Sequence, residues 1–344
     1  MTVLGIESSC DECAIAVVRD GREILSNSVA SQIAAHAPFD GVVPELASRM
    51  HVELLMPVYR QSLQDAELSP EQIDAIAVSN RPGLAGSLVV GLSFAKGLSL
   101  ALGRPYVGVD HILAHLYAAQ LEHEVAYPYL GLVVSGGHTL IARVNAPLDV
   151  EVMGTTIDDA CGEAFDKVAK FHGLGYPGGV VIDRLARQGD SGAFRFPRAR
   201  LHKEGRRRDV GHAHRYDVSY SGLKTAVINQ LEKFWDGHSE KSPENIAASF
   251  EKAAIDMILD RLDLAAAETG IPRVAVGGGV AANSYLRERL AESALEVAIP
   301  SRELCTDNGA MVAGLGYHVL REQGPAGPEL DVEPRVSDFR RTYP

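Results

Sequence analysis

Short apolar runs alternate with longer amphipathic segments over the first third of this chain. The apolar runs are bounded by polar turns, as is typical of buried strands. The strands predicted in this way occupy residues 2–7, 13–18, 23–26, 73–79 and 105–109. Helical patterns from about residue 45 to 63 and from about 87 to 102 precede the last two strands. Strands interleaved with helices predict an α/β fold.

The same order of strand, small-residue turn and strand begins again after Tyr127-Pro128. Residues 129–134 and 140–144 are predicted strands, and Ser135-Gly136-Gly137-His138-Thr139 is the turn between them. The opening hairpin has its own polar turn at residues 8–12. Turns of this kind can direct backbone N–H groups at a phosphate, although a plain hairpin turn is the alternative for each. The repetition predicts two domains of one plan.

The remaining pattern sets the predicted domain bounds. A strand at residues 273–276 runs into Gly277-Gly278-Gly279, where consecutive glycines let the backbone lie against a flat base or a phosphate. The residues after Gln323 are rich in proline, glycine and charge, which indicates a surface arm. We therefore expect a first lobe at residues 1–125, a second lobe at 126–322 and a surface tail at 323–344.

Two histidines four positions apart open a predicted helix at His111. Residues at i and i+4 share one helix face, so both imidazoles can reach one metal ion, and Asp110 is placed to be the N-cap. Ile112 stands where the H-E-x-x-H metalloproteases have their general base. Asp307 precedes another predicted helix and could supply a third ligand. The alternative is two histidines of an ordinary amphipathic helix.

Composition and charge narrow the function classes. With 46% apolar and 23% charged residues the chain is an ordinary globular protein, and its four cysteines are too few and too scattered for a disulfide scaffold. We see no signal peptide and no run of membrane-spanning length, and expect a cytoplasmic protein. The net charge of −12 requires any nucleic-acid contact to be local. The basic segment from Arg195 to Arg215 could bind a polyanion, or it is a solvated loop.

Ordered motifs along almost the whole chain resemble those of the tRNA adenosine threonylcarbamoyltransferases. The matching stretches include GIESSCDE at 5–12, VVPELASR at 42–49, PGLAGSL at 82–88, His111-x-x-x-His115, VSGGHT at 134–139, EAFDKVAK at 163–170, YPGG at 176–179, SGLKTA at 221–226, GGGVAAN at 277–283 and CTDN at 305–308. Two positions depart from the usual pattern. Cys13 stands in place of Thr or Ser, and Arg81 stands in place of Gly, which leaves the local loop shape open.

The resemblance implies a fold and a set of site residues. The fold is that of actin, Hsp70 and sugar kinases, two lobes of related α/β plan with a nucleotide in the cleft. His111, His115 and Asp307 would bind one divalent metal ion per subunit, Fe²⁺ with Zn²⁺ as the alternative. Glu12 and His138 are the two candidates for a general base. The implied substrate contacts are Val134, Ser135, Gly136, Gly137, His138, Asp166, Gly179, Asp183 and Asn283.

The resemblance also implies the reaction and the partners. The exocyclic amine of the adenosine 3′ of the anticodon, in tRNAs reading codons that begin with A, would attack threonylcarbamoyl-AMP and release AMP. A dimerising paralogue and a small ATPase would assist, and no membrane would be involved. The alternatives are a metalloendopeptidase, which the missing glutamate disfavours, a kinase or ATPase of the same fold, and a non-enzymatic scaffold.

Overall fold

Two five-stranded sheets form the framework of the described chain, residues 1–198 and 215–335 of this computed structural model. The strands are β1 (Thr2–Glu7), β2 (Glu12–Arg19), β3 (Glu23–Ser31), β4 (Ala75–Arg81), β5 (Tyr106–Asp110), β6 (Tyr129–Val134), β7 (Thr139–Ala146), β8 (Asp149–Thr155), β9 (Arg273–Gly277) and β10 (Glu296–Ala298). The helices are α1 (Ile33–His36), α2 (Pro44–Asp65), α3 (Ala85–Leu102), α4 (His111–Tyr117), α5 (Cys161–Phe171), α6 (Gly178–Ala186), α7 (Ser221–Asn229), α8 (Leu231–Phe234), α9 (Pro243–Thr269), α10 (Ser284–Ala291), α11 (Arg302–Cys305) and α12 (Gly309–Gln323). This mixture confirms the predicted α/β class.

The chain divides into two structural units. The first comprises Met1–Val125, Ala146–Val150 and the described residues from Pro300 onward, and the second comprises Ala126–Asn145 and the described residues of Glu151–Ile299. The prediction that the second lobe continues to residue 322 differs from this division. The reason is α12, which packs against β1, β2 and β4 and so belongs to the first unit.

The first sheet has the order β3-β2-β1-β4-β5 and carries helices on both faces. Strand β1 runs antiparallel to β2 and parallel to β4, and β4 runs parallel to β5. Because successive side chains of a strand point to opposite faces, Val3 packs in the core formed with α4 and α12, whereas Leu4 and Ile6 pack in the core formed with α2 and α3. Burial on both faces explains the nearly continuous apolar runs in the sequence.

Close packing of α12 on the first sheet depends on glycine. A Cβ on Gly5 would lie 2.2 Å from the carbonyl oxygen of Gly309, and a Cβ on Gly316 would lie 2.3 Å from the Cβ of Ala77. Helix and sheet therefore touch backbone to backbone near the carboxyl end of β1. This contact fixes the start of α12, and with it Asp307, beside the carboxyl ends of β1, β4 and β5.

The second sheet repeats the plan of the first. Its order is β10-β9-β6-β7-β8, in which β6 runs antiparallel to β7 and parallel to β9, and β9 runs parallel to β10. Strand β8 was absent from the sequence prediction because Asp149, Glu151 and Gly154 interrupt its apolar pattern. The described parts of the two units thus share one topology, as the repeated strand-turn-strand pattern predicts.

The described part of the tail is attached to the first unit by hydrogen bonds. Residues 324–335, here called the C-terminal strap, run across α3 and the β4–β5 edge of the first sheet. The Lys96 ammonium donates to the carbonyl oxygens of Pro328 (2.9 Å) and Leu330 (2.6 Å), and the Tyr106 hydroxyl donates to that of Gly327 (2.6 Å). The composition of the tail does not indicate these partners, because the bonds are made to backbone carbonyl groups.

Helix α3 corrects another expectation. Its 18 residues, Ala85–Leu102, have a mean hydropathy of 1.6 and match a membrane span by length and composition, contrary to the prediction that no run would. One such helix is weak evidence for a membrane protein. Its inner residues Leu88, Leu92 and Ala95 are buried against α2 and β4, while only 28% of the apolar window lies inside the protein.

Candidate functional site

Three predicted metal ligands lie together at the carboxyl edge of the first sheet. One ligating atom each from His111, His115 and Asp307 lies within 4.8 Å of the others. The Nε2 atoms of His115 and His111 are 3.0 Å and 3.7 Å from Oδ1 of Asp307. Both imidazoles are buried, and Asp307 is 19% exposed. The arrangement agrees with the predicted triad and can hold a metal ion.

Local structure fixes each member of the triad. Asp110 ends β5 and caps α4, since its Oδ1 accepts from the backbone N–H groups of Ile112 (2.9 Å) and Leu113 (3.1 Å), as predicted. The two histidines then follow one turn apart on one face of α4. On the other side, the buried Asn308 caps α12 through the N–H of Met311 and donates to the carbonyl oxygen of Thr306 (2.8 Å). Asn308 thereby holds the backbone on both sides of Asp307.

The donor set suits a divalent transition metal. Two imidazole nitrogens and one carboxylate oxygen are ligands that iron and zinc accept, and they leave coordination positions for oxygen atoms of a bound molecule. Burial alone would lower the pKa of His111, but the carboxylates of Glu7 and Asp307 raise it to about 10. The metal-free imidazole is therefore protonated, and metal binding must release that proton.

Glu12 lies at the start of β2, in the polar turn region of the first unit. The hydroxyl of Ser31 donates to Oε1 of Glu12 at 3.3 Å. Burial, followed by the negative charges of Asp307 and Asp11, raises the pKa of Glu12 to about 9. The carboxyl is consequently a poor proton acceptor near neutral pH unless a positive charge offsets Asp307.

His138 and the glycine turn belong to the second unit. The turn closes through the N–H of Ser135, which donates to the carbonyl oxygen of His138 (2.8 Å), and the N–H of His138, which donates to Ser135 Oγ (3.1 Å). Gly136 and Gly137 form its exposed tip. The start of α5 packs so closely that a Cβ on Gly162 would lie 2.8 Å from the Cα of Gly136. The turn and a helix N-terminus therefore lie side by side.

The glycine-rich stretch GGGVAAN at 277–283 also contacts this turn. Gly278 has φ +90°, and a Cβ there would lie 2.4 Å from the carbonyl oxygen of Val134. Only glycine satisfies both the backbone angle and the contact. The GGGVAAN stretch and Val134, both predicted to border a nucleotide, are thus adjacent within the second unit.

Four other predicted contact residues lie on neighbouring helices of the second unit: Asp166 on α5, Gly179 and Asp183 on α6, and Asn283 at the N-cap of α10. Asp166 accepts from the N–H of Gly178 at 2.7 Å, and the neighbouring Gly179 is half-buried, with no described residue within 4 Å of where a Cβ would stand. Asp183 Oδ1 accepts from the N–H of Ser284 (2.8 Å) and from its hydroxyl. These bonds tie α6 to the N-terminus of α10 and make both acids structural anchors as well as candidate contacts.

Asn283 is held at both ends of its side chain. Its Oδ1 caps α10 at the N–H of Leu286 (2.9 Å), and its Nδ2 donates to Oε1 of Glu251 (2.6 Å). Glu251 is buried on α9, and burial raises its pKa to about 7. Glu251 could not be predicted from the sequence, since an acidic residue within a long helix carries no signal of the partner it meets.

The basic segment is described only at its two ends. Arg198 lies 3.5 Å from the carboxylates of Asp256 and Asp260, and Arg215 pairs with Glu268, all three acids being on α9. Its central arginines, Arg206, Arg207 and Arg208, lie outside the described residues. Both ends of the segment are therefore attached to the same helix of the second unit.

The repeated order of strands in the two sheets is shared with proteins of known structure. The chain is similar to full-length HypF in its phosphate- and nucleotide-bound form, with a TM-score of 0.60 at 15% identity over 94% of this chain and 56% of that one. A likeness at that identity shows the fold alone, which is the two-lobed fold of actin, Hsp70 and sugar kinases, as the resemblance implied.

A family model for the tRNA N6-adenosine threonylcarbamoyltransferases matches residues 23–314. A protein of that name from Treponema denticola is 55% identical over 342 residues, which cover 99% of both chains. Another, from Borrelia hermsii, is 47% identical over 342 residues, covering 99% of this chain and 98% of that one. The chain belongs to this family. It is a transferase of tRNA threonylcarbamoylation, and the metalloendopeptidase alternative has no support.

Proposed function

We propose that the enzyme takes the threonylcarbamoyl group from threonylcarbamoyl-AMP and places it on the exocyclic amine of the adenosine 3′ of the anticodon, in tRNAs reading codons that begin with A. The amine nitrogen forms a bond to the carbamoyl carbon, the bond from that carbon to the AMP phosphate oxygen breaks, and AMP leaves. The observation that carries this assignment is the metal donor set of His111, His115 and Asp307 in a chain of this family.

The metal centre would hold one divalent ion per subunit, Fe²⁺ or Zn²⁺. When bound, such an ion supplies a Lewis acid for oxygen atoms of the substrate. The residues of the first unit contribute by keeping both imidazoles on one helix face and Asp307 beside them. This rigidity favours one orientation of the bound molecule, and orientation alone can supply much of the rate with an activated donor.

The second unit would bind the nucleotide part of the donor. The exposed tip of the turn Val134–His138, next to the N-terminus of α5, offers backbone N–H groups to a phosphate. Asp166, Gly179, Asp183 and Asn283 would border the nucleoside. Since the side chain of Asn283 already has a partner at both ends, we assign it the role of holding the α10 N-terminus against the nucleoside.

A proton must leave the adenosine amine during the transfer. Glu12 and His138 stay our two candidates for its acceptor. The raised pKa of Glu12 favours His138 near neutral pH, unless a cation held by Asp307 lowers the pKa of Glu12, because Asp307 is one of the groups that raise it. A pH–rate profile of each variant would distinguish the two.

We propose that tRNA, a dimerising paralogue and a small ATPase are its partners, and that the reaction is cytoplasmic. The first unit has exposed apolar side chains suited to a protein partner, namely Val52 (66% exposed) and Met56 (43%) on α2 and Val89 (47%) and Leu100 (86%) on α3. Binding of the paralogue to Val52→Asp tests this face. Val180→Asp is the matched control, since Val180 on α6 is 67% exposed.

The proposed reaction is tested with the purified chain, threonylcarbamoyl-AMP and a tRNA transcript, with and without the two partner proteins. Threonylcarbamoyladenosine should form at the adenosine 3′ of the anticodon and should be absent from a transcript with guanosine there. Mass spectrometry of the digested tRNA measures both. Modification of the guanosine transcript to the same extent would exclude the proposed position.

A further inference from the structure

A fully buried carboxylate lies behind the metal-binding helix. Glu7 is the last residue of β1 and is 0% exposed. Its Oε1 accepts from the N–H of Ser9 at 2.6 Å, and its Oε2 accepts from the hydroxyl of Ser79 and lies 3.0 Å from Nδ1 of His111. All of these partners lie within the first unit. Both carboxylate oxygens are thus occupied, and one of them faces a proposed metal ligand.

Strand order explains why these residues meet. Strands β1, β4 and β5 are adjacent and parallel, and Glu7, Ser79 and His111 stand at or just beyond their carboxyl ends. The juxtaposition is therefore built into the sheet rather than into a mobile loop. A buried charge at such a place is costly unless it is paired and hydrogen-bonded. The hydrogen bonds from Ser9 and Ser79, and the imidazole of His111 at 3.0 Å, meet this requirement for Glu7.

We propose that Glu7 is the positioning residue of the metal centre, holding His111 in the tautomer that carries its proton on Nδ1 and presents Nε2 to the metal ion. This inference rests on the proposed metal site. An ionised carboxylate only accepts hydrogen bonds, so the imidazole nitrogen beside it must donate. The other nitrogen, Nε2, lies 3.7 Å from Oδ1 of Asp307 and offers its lone pair to the metal ion once its proton has been released. Outer partners of this kind set ring orientation in metal sites.

The two histidines are held differently. Nδ1 of His115 has no hydrogen-bond partner among the described residues, whereas Nδ1 of His111 has Glu7 at 3.0 Å and Ser9 Oγ at 3.1 Å. Ser9 can donate or accept, and so imposes no tautomer. Glu7 alone among these neighbours discriminates between the two forms of the imidazole. His111 is accordingly the pre-oriented ligand of the pair.

Glu7→Gln is the decisive substitution because it keeps the shape and reverses the hydrogen-bond polarity. The fixed N–H of Ser9 requires an oxygen at the Oε1 position, so the new amide N–H₂ group must face Ser79 and His111. That group donates to Nδ1 and favours the tautomer with its proton on Nε2, which binds a metal ion only after the tautomer changes. Ser79→Ala and Ser9→Ala remove neighbours of the same cluster and leave the carboxylate in place.

The experiment measures Zn²⁺ affinity of the full-length, metal-stripped protein by competition with a chromophoric chelator. We expect Glu7→Gln to weaken affinity by about 10- to 100-fold, and the two serine variants to stay within about threefold of wild type. Wild-type affinity of a folded Glu7→Gln protein would overturn the inference. So would a loss in Ser9→Ala as large as that in Glu7→Gln, because the serine would then be the orienting group.

Two further measurements keep the inference testable. If Glu7→Gln does not fold, ¹⁵N-histidine NMR of the Zn²⁺-bound wild type shows which nitrogen of His111 carries the proton. A proton on Nδ1 would support the proposal, and a proton on Nε2 would overturn it. The variant His111→Ala separates this inference from the proposed function. Full Zn²⁺ binding by His111→Ala would contradict the proposed metal site itself. Lost binding by His111→Ala together with normal binding by Glu7→Gln would contradict only the role of Glu7.

Discussion

Nε2 of His115 lies 3.0 Å from Oδ1 of Asp307, although 192 positions separate the two residues. The contact forms because α12 returns to the first sheet late in the chain and packs on it through Gly5 and Gly309. An aspartate that precedes a glycine-rich helix is thereby brought to a histidine on a helix from the first third of the sequence. The candidate metal centre depends on this return of the chain.

We expect His111→Ala and His115→Ala to lose bound metal while keeping their fold. Each substitution removes one of three protein ligands, so metal affinity should fall by more than about 100-fold, since loss of an outer partner alone costs about 10- to 100-fold. Elemental analysis after gel filtration and far-UV circular dichroism measure the two properties. Activity with tRNA should fall in parallel.

His318→Ala is the matched control for this prediction. His318 also lies in the first unit, half-buried on α12, and its Nε2 pairs with the Tyr117 hydroxyl at 2.9 Å, away from the donor set. Its metal content should equal that of the wild type. Full metal occupancy in both His111→Ala and His115→Ala would exclude the proposed triad.

Part of the site could be predicted from local sequence patterns, because the helix cap and the two histidines depend only on residues a few positions apart. The capping of α4 by Asp110 and the shared face of His111 and His115 follow from spacing alone. The role of Glu7 could not be predicted, since its partners Ser79 and His111 are 72 and 104 positions away. A glutamate at the end of an apolar strand does not indicate which side chains the neighbouring strands will bring to it.

The fold, too, has features that local sequence patterns predict and features that depend on distant contacts. Strand and helix patterns predicted the repeated α/β plan, because burial on two sheet faces leaves a clear apolar run. The attachment of the C-terminal strap could not be predicted, since proline, glycine and charge indicate irregular backbone but not its partners. Lys96, which binds two strap carbonyls, lies 232 and 234 positions from them.

The strap should loosen in the variant Lys96→Met. The substitution keeps the aliphatic stem and removes the ammonium group that donates to the carbonyl oxygens of Pro328 and Leu330. We expect the strap amides, including those of Ala326 and Glu333, to exchange hydrogen about tenfold faster. Lys241→Met, which removes a surface pair with Glu232, is the control and should leave strap exchange unchanged. Unaltered strap exchange in Lys96→Met would show that Lys96 does not anchor it.

Glu251 should make stability fall as pH rises. Its pKa in the folded protein is about 7 against an ordinary pKa of 4.5, so the folded state keeps a proton that the unfolded state loses between these values. The free energy of unfolding therefore decreases from about pH 4.5 to about pH 7, by at most about 3 kcal/mol from this group. The neutral variant Glu251→Gln keeps an oxygen acceptor for Asn283 and lacks this dependence.

Denaturant unfolding at pH 5 and pH 8 measures the effect of Glu251→Gln. Relative to wild type, the variant should be more stable at pH 8 than at pH 5 by about 2 to 3 kcal/mol. Glu292→Gln serves as the control, because Glu292 is 76% exposed and its neutralisation should shift neither value appreciably. Equal stability differences at the two pH values would contradict a raised pKa of Glu251.

The last prediction concerns the arginines at 206–208, in the densest basic stretch of a chain with net charge −12. Such a chain repels tRNA at long range, so binding requires a local positive patch. If these arginines contact phosphates, replacing all three by Ala should weaken tRNA binding and reduce the log–log salt slope by up to about three units. Affinity for threonylcarbamoyl-AMP should hardly change. Replacing the exposed Arg22, Arg60 and Arg302 instead removes the same charge from scattered sites and should leave the slope nearly intact. An equal effect of both triple variants would mean that net charge, and not the basic segment, governs tRNA binding.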